Sequence, residues 1–172
     1  MNKKYITVLL LPFVLSACAG NVKHRWCPPQ EVVHEEQPKE YNAESIQLSA
    51  DALFDFDKAG VDDLLPKGKA ELNRLITQLK SNYFEVKQID IVGHTDRLGK
   101  QQYNLKLGLQ RAETVRNYLQ NAGIHTSYHI SSKGMLEPVT TDCNQMMSRE
   151  KLKACLQPDR RVTLDIIGLK KY

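Results

Sequence analysis

The apolar residues of this chain change their spacing from one segment to the next, and this alternation restricts the folds that it can form. Segments in which every second residue is apolar predict β-strands, whereas apolar residues three and four positions apart predict helices. Strands are predicted at 45–56, 86–92, 128–132 and 162–167. A helix of about 17 residues is predicted from Pro66 onwards, another at 103–122 ending at Gly123, and a third within 138–158.

The resulting order β-α-β-α-β-(α)-β predicts an α/β domain, because strands that alternate with helices form layered structures. We expect a two-layer sandwich in which a four-stranded mixed sheet carries its helices on one face. The chain has 172 residues, of which 41% are hydrophobic and 26% charged, values typical of one soluble globular domain with short appendages. No stretch reaches about 18 consecutive apolar residues, which excludes a polytopic membrane protein.

Residues 1–17 have the features of a secretory signal peptide. Two lysines precede an apolar segment at 6–15, which is too short to span a membrane stably. The alternative is an N-terminal membrane anchor that stays attached to the protein. The tetrapeptide Leu-Ser-Ala-Cys that ends at Cys18 resembles the bacterial lipobox, whose cysteine receives a diacylglycerol and becomes the acylated N-terminus. Ala19 stands where an aspartate would resemble an inner-membrane retention signal, so the sequence favours the outer membrane.

Segment 18–44 is predicted to be a lipidated N-terminus followed by a flexible tether, because it is polar, contains three prolines and shows no sustained period. Trp26 and Cys27 are unusual in such a segment. They could be an aromatic ring near the lipid headgroups and a spare thiol. They could instead contact an envelope protein partner, through an intermolecular disulfide for example.

Cys143 and Cys155 are twelve positions apart and flank a helical stretch. Export would place them in an oxidising compartment, where disulfides form. Metal binding is the alternative, although the spacing is not C-x-x-C and no histidine lies between the two cysteines. The spacing therefore favours a disulfide over a metal site.

Four short motifs occur in order through the predicted domain. They are Phe54-Asp55-Phe56-Asp57-Lys58, Gly93-His94-Thr95-Asp96, Asn104-x-x-Leu107-x-x-x-Arg111-Ala112 and Arg160-Arg161-Val162. Together they resemble the OmpA-like peptidoglycan-binding domain, which is shared by peptidoglycan-associated lipoproteins, the C-terminal domains of OmpA proteins and flagellar stator subunits. The resemblance assigns residues 45–172 to such a domain.

This resemblance implies a binding site for the diaminopimelate residue of the peptidoglycan stem peptide. Asp96 would bind the ligand ammonium, and Arg111, fifteen positions later, would bind its carboxylate. The family also implies a further set of site residues, namely Asp57, Thr95, Asn104, Leu107, Gly108 and Arg160.

Three further features bear on this resemblance. The segment between Cys143 and Cys155 is similar to that of the OmpA subgroup, in which the two cysteines form a disulfide. Gly108 stands where the family usually has serine, and this loss of a hydroxyl could lower affinity. Asp159 replaces the common asparagine before the arginine pair, a change that the OmpA subgroup shares.

The chemistry of the ligand supports the same two residues. The side-chain end of diaminopimelate carries both an ammonium and a carboxylate, so its receptor needs one fixed anion and one fixed cation. Arginine suits the carboxylate because its planar fork binds two oxygens at once. The alternative is that Asp96 and Arg111 form a structural salt bridge with each other. Of the adjacent Arg160 and Arg161, only one should face the site, because neighbouring strand residues point in opposite directions.

The sequence therefore predicts a lipid-anchored outer-membrane protein whose periplasmic domain binds peptidoglycan and tethers the membrane, or an envelope machine, to the cell wall. A partner-docking module with secondary wall binding is the alternative. An enzyme is not expected, since no H-E-x-x-H, G-x-S-x-G or P-loop motif is present. No metal or cofactor is expected. Nucleic acid is not an expected partner of an exported chain with a net charge of only +4.

Overall fold

The computed structural model describes residues 40–144 and 146–171. The predicted signal peptide (1–17), Cys18, Trp26 and Cys27 lie outside these described residues. The helices and strands are β1 (Asn42–Ser49), α1 (Ala50–Leu53), α2 (Pro66–Asn82), β2 (Tyr83–His94), α3 (Gln101–Asn121), β3 (Ser127–Gly134), α4 (Arg149–Cys155) and β4 (Arg161–Lys170). Two short 3-10 turns, Val61–Asp63 and Gln157–Asp159, complete the order.

The strands form one four-stranded mixed sheet in the order β1-β4-β2-β3. The pairs β1–β4 and β4–β2 are antiparallel, whereas β2–β3 is parallel. The parallel pair is joined through α3, as a crossover connection requires. The predicted α/β fold with a four-stranded mixed sheet is therefore confirmed.

The hydrophobic core lies between one face of this sheet and the helices α2 and α3. Alternate residues of the two central strands are buried there, because successive strand residues point to opposite faces. The main contributors are Ile89 and Ile91 of β2, Val162, Leu164 and Ile166 of β4, Leu72, Leu75 and Leu79 of α2, and Ala112, Val115 and Leu119 of α3. This packing fixes the ends of β2, α3 and β4 relative to one another, and those ends hold the site described below.

The two long helices begin and end close to where the sequence predicts. Helix α2 begins at Pro66 and has 17 residues, because proline is well suited to the first helical position. Helix α3 is followed by Gly123 with a φ of +85°, a left-handed conformation that glycine adopts without steric cost.

The predicted strand 45–56 is wrong in its second half. The strand begins at Asn42 and ends at Ser49, and the chain then makes one turn of helix, α1. Ser49 is the last residue of β1 paired with β4, and the Ala50 amide donates to the Arg160 carbonyl at 2.9 Å. The turn directs Leu53 into the core. A short apolar run is compatible with either structure, and here core packing selects the helical turn.

The disulfide between Cys143 and Cys155 is present, with the two Cα atoms 5.7 Å apart. It joins the loop after β3 to the last residue of α4. Within residues 40–144 and 146–171, no group of three or more His, Cys, Asp or Glu side chains is arranged to hold a metal ion. In the same residues, no helix combines the length and the apolarity needed to cross a membrane.

Candidate functional site

A cavity of about 540 Å³ opens where the C-terminal end of β2 meets the start of α3. Ligand sites of α/β sheets commonly lie at such strand ends. Four other segments complete it: α1, the loop after α1, helix α4 and the residue before β4. The lining residues include Asp51, Phe56, Asp57, Thr95, Asp96, Leu98, Tyr103, Asn104, Leu107, Arg111, Arg149, Leu152, Lys153 and Arg160.

All but one of the predicted site residues line this cavity, and Gly108 is the exception. Gly108 packs against the sheet, where an added Cβ would lie 2.4 Å from the Ser132 hydroxyl and 3.0 Å from the Gly93 carbonyl oxygen. Its position on the same helix face as Asn104 and Arg111 thus brings its backbone against β2. Gly108 therefore lies behind the cavity lining, and a role for it in ligand binding stays a prediction.

Asp96 lies just after β2, and its side chain is 11% exposed. Its Oδ1 accepts a hydrogen bond from the Leu98 amide at 2.9 Å, and its Oδ2 accepts one from Arg160 Nη1 at 2.7 Å. Asn104 holds the same loop, since its Nδ2 donates to the carbonyls of Asp96 at 3.2 Å and Leu98 at 2.9 Å. Thr95 is buried beside Asp96 and lines the cavity. These bonds fix the position of the Asp96 carboxylate.

Arg160 connects two carboxylates of the cavity. In addition to Asp96, it donates two hydrogen bonds to Asp51, from Nε to Oδ1 at 2.8 Å and from Nη2 to Oδ2 at 2.6 Å. Hydrogen bonding to Asp51, and then to Asp96, raises the pKa of Arg160 above its ordinary value. Arg161 points away and donates to the Glu137 carbonyl at 3.2 Å. Of the two adjacent arginines, therefore, Arg160 is the one that lines the cavity.

Arg111 is 3% exposed, and its surroundings differ from those of Arg160. Its Nε donates to the Lys58 carbonyl at 2.9 Å, and its guanidinium lies 5.5 Å from the centre of the Phe54 ring. Burial lowers the pKa of Arg111, although an arginine remains charged at neutral pH. Among the described residues, no aspartate or glutamate comes within 4.0 Å of it, so the alternative salt bridge with Asp96 is not formed.

Asp57 and Tyr103 also line the cavity and bind each other. The Tyr103 hydroxyl donates to Asp57 Oδ1 at 2.6 Å, and this bond raises the pKa of the tyrosine. Asp57 has a φ of +61°, a conformation that aspartate tolerates better than most residues. The same pair also lines a second, polar cavity of about 400 Å³.

Sequence reasoning missed several lining residues. Three of them lie on α4, namely Arg149, Leu152 and Lys153. Their spacing places them on one helix face, so the sequence pattern could have indicated them. Tyr103 directly precedes a recognised motif, and Phe56 lies within one. Asp51 had no local signal, because its partner is 109 positions away.

The fold and the cavity define a small α/β domain with a charged cavity at the ends of its strands. The OmpA family model matches residues 53–151. The chain is 40% identical to outer membrane protein A of Klebsiella aerogenes over 134 aligned residues. The aligned region makes up 76% of this chain and 37% of that protein. The corresponding protein of Escherichia coli O157:H7 is 38% identical, and the aligned region makes up 76% of this chain and 38% of that protein. The chain belongs to the OmpA family, and it spans 37% to 38% of the length of these curated relatives.

Three solved structures are similar to this chain. The peptidoglycan-associated lipoprotein from Burkholderia pseudomallei is 29% identical, with a TM-score of 0.50 over 67% of this chain and 87% of that chain. The cell wall anchor of the T6SS from Pseudomonas aeruginosa is 21% identical, with a TM-score of 0.54 over 73% and 82%. The periplasmic domain of Helicobacter pylori MotB is 18% identical, with a TM-score of 0.56 over 73% and 74%. These last two share the fold.

Proposed function

We propose that this domain binds peptidoglycan non-covalently, through the diaminopimelate of the stem peptide, and catalyses no reaction on it. The observation that carries the proposal is the Arg111 guanidinium, which lines the cavity with no carboxylate within 4.0 Å of it in the described part of the chain. The likeness to a peptidoglycan-associated lipoprotein supports peptidoglycan as the ligand.

The two charged ends of the ligand fit two parts of the cavity. The ligand carboxylate would bind the terminal amino groups of Arg111, whose Nε is already occupied by Lys58. The ligand ammonium would bind Asp96, because each carboxylate oxygen accepts more than one hydrogen bond and each oxygen of Asp96 is used once by a neighbour. Asp57 is a second acceptor, with Oδ1 held by Tyr103.

We also propose that the chain is anchored to the outer membrane by acyl chains on Cys18, with the domain facing the periplasm. Acyl chains contribute about 0.8 kcal/mol for each buried methylene, so several chains give stable attachment. Segment 19–44 would then tether the domain and allow it to reach the cell wall. Cys18→Ser is expected to abolish acyl labelling of the protein, and normal labelling of this variant would contradict the anchor.

A comparison of two peptidoglycan types tests the binding proposal. Lysine at the same stem position supplies the ammonium and lacks the second carboxylate. Detergent-purified full-length protein should therefore sediment with diaminopimelate-type sacculi and much less with lysine-type sacculi. Lys151→Gln, on the exposed side of α4, is the control and should behave as the wild type. Equal sedimentation with both types, or with neither, would contradict the proposal, and the second outcome would favour partner docking.

A further inference from the structure

Helix α4 presents one face to the cavity. This face is not needed for the proposed binding of the diaminopimelate ammonium to Asp96 and of its carboxylate to Arg111. Arg149, Leu152 and Lys153 all line the cavity. The helix is held in place at its end by the disulfide of Cys155 and by the Lys153 carbonyl, which accepts from Arg160 Nη1 at 3.1 Å. The two cationic side chains therefore start from a fixed backbone.

The charges of the cavity are unbalanced. Three carboxylates and four cationic side chains line it. Arg160 is bound by two of the carboxylates, Asp51 and Asp96, and Arg111 would be bound by the ligand carboxylate. Within residues 40–144 and 146–171, no carboxylate lies within 4.0 Å of Arg149 or Lys153. A zwitterionic ligand end would leave this excess positive charge uncompensated.

The position of Lys153 also points towards the ligand space. Its Nζ lies 5.0 Å from the centre of the Phe56 ring, and Phe56 is an exposed residue of the cavity. A cation over an aromatic face is attracted by the ring and is restricted in its motion. The ammonium of Lys153 is therefore held at the cavity and stays available to an anion.

We propose that Arg149 and Lys153 form a second anion subsite, which binds a further carboxylate of the same stem peptide. This inference rests on the proposed function. A diaminopimelate-type tetrapeptide stem offers two such groups, the free α-carboxylate of its D-isoglutamate and the C-terminal carboxylate of its D-alanine. The domain would then select stems in which that carboxylate is free over stems in which it is amidated or used in a peptide bond.

The test uses full-length protein and three synthetic tetrapeptides: the unmodified stem, the stem with D-isoglutamine, and the stem with a C-terminal carboxamide. Binding is measured by isothermal titration calorimetry. Amidation of the bound carboxylate should weaken wild-type binding roughly fivefold, the scale of one solvent-accessible charge pair. Arg149→Gln/Lys153→Gln should bind the unmodified stem roughly fivefold more weakly and bind all three peptides equally.

The double variant Lys67→Gln/Lys151→Gln removes the same charge from exposed positions outside the cavity, and it should keep the wild-type discrimination. Sensitivity to one of the two amidations identifies which carboxylate is bound. Equal wild-type binding of all three peptides, or full discrimination by Arg149→Gln/Lys153→Gln, would overturn this inference alone. If the wild type binds none of the three peptides, the proposed function is overturned together with this inference.

Discussion

Arg160 Nη1 lies 2.7 Å from Asp96 Oδ2, although the two residues are 64 positions apart in the chain. The same arginine binds Asp51 with its remaining nitrogens, so a single guanidinium fixes two carboxylates on different segments. The arrangement orders the anionic side of the cavity before any ligand arrives. Such pre-organisation lowers the entropic cost of binding.

Replacement of Arg160 by glutamine should therefore reduce both stability and binding. The variant leaves Asp96, with 11% side-chain exposure, without its cationic partner. We expect a loss of about 2 kcal/mol in the free energy of unfolding, less than for a fully buried pair because Asp51 is partly exposed. Urea denaturation, which leaves the ionic strength unchanged, measures this loss, and Lys151→Gln is the control. An unchanged unfolding midpoint would show that the bridge does not stabilise the fold.

The stability of the domain should decrease in mild acid because of His94. This side chain is 3% exposed, its Nε2 lies 3.4 Å from the Thr163 hydroxyl, and its Nδ1 has no partner in the described residues. Burial, together with the positive charge of Arg161, lowers the pKa of His94 to about 4. Glu137 acts in the opposite direction, and Lys133 in the same direction as Arg161.

The sign follows from the lower pKa of the folded state. Between about pH 6.5 and pH 4 the unfolded chain binds the proton more readily, so stability falls as the pH falls through this window. His94 should account for a loss of about 2 kcal/mol between pH 7 and pH 5. His94→Gln should lack this part of the slope, whereas His125→Gln, at an exposed position, should keep it. Identical slopes in wild type and His94→Gln would contradict the prediction.

Gly93→Ala should strongly destabilise the domain. A Cβ at position 93 would lie 1.9 Å from the carbonyl oxygen of Gly108, which is backbone and cannot rotate away. We expect a loss of about 3 kcal/mol or more, because relief of the clash requires α3 to move off the sheet. Gly99→Ala is the matched control: its added Cβ meets no atom within 4 Å, and only its φ of +93° is unfavourable. A similar loss in both variants would contradict this account of the helix–sheet contact.

Asp159 should tolerate asparagine and not alanine. Asp159 is fully buried. Its Oδ1 accepts hydrogen bonds from the backbone amides of Val139 at 2.8 Å and Thr140 at 2.9 Å. Its Oδ2 accepts a hydrogen bond from the Thr140 hydroxyl at 2.7 Å. In the asparagine variant, the side-chain oxygen still accepts from both backbone amides. The Thr140 hydroxyl can rotate so that it accepts a hydrogen bond from the new side-chain nitrogen. Asp159→Asn should cost less than about 1 kcal/mol and Asp159→Ala about 3 kcal/mol. Thermal unfolding measures both, and equal losses would show that these bonds contribute little.

The elements with clear periodicity could be predicted from the sequence, because their pattern reflects burial along one element. Helix α2 and the central strands β2 and β4 are of this kind. Helix α1 could not be predicted, since its four residues are too few to show a helical period. The helical turn forms there because the pairing of β1 with β4 ends at Ser49 and because Leu53 packs into the core.

The site could be predicted only where motifs carry it. The motifs predict Asp96 and Arg111 as site residues, and both line the cavity. The bridge from Arg160 to Asp51 depends on the fold alone, because it joins residues 109 positions apart. The motif predicts Gly108 as a site residue, and the sequence gives no sign of the close approach of α3 to β2 at this glycine.

The central claim is that Arg111 binds the carboxylate that distinguishes diaminopimelate from lysine. Isothermal titration of full-length protein with stem tripeptides that contain either residue tests it most directly. Wild type should bind the diaminopimelate peptide at least tenfold more tightly than the lysine peptide, a difference of about 1.4 kcal/mol, and Arg111→Gln should bind both equally weakly. Equal wild-type affinity for the two peptides, or unchanged discrimination by Arg111→Gln, would contradict the account.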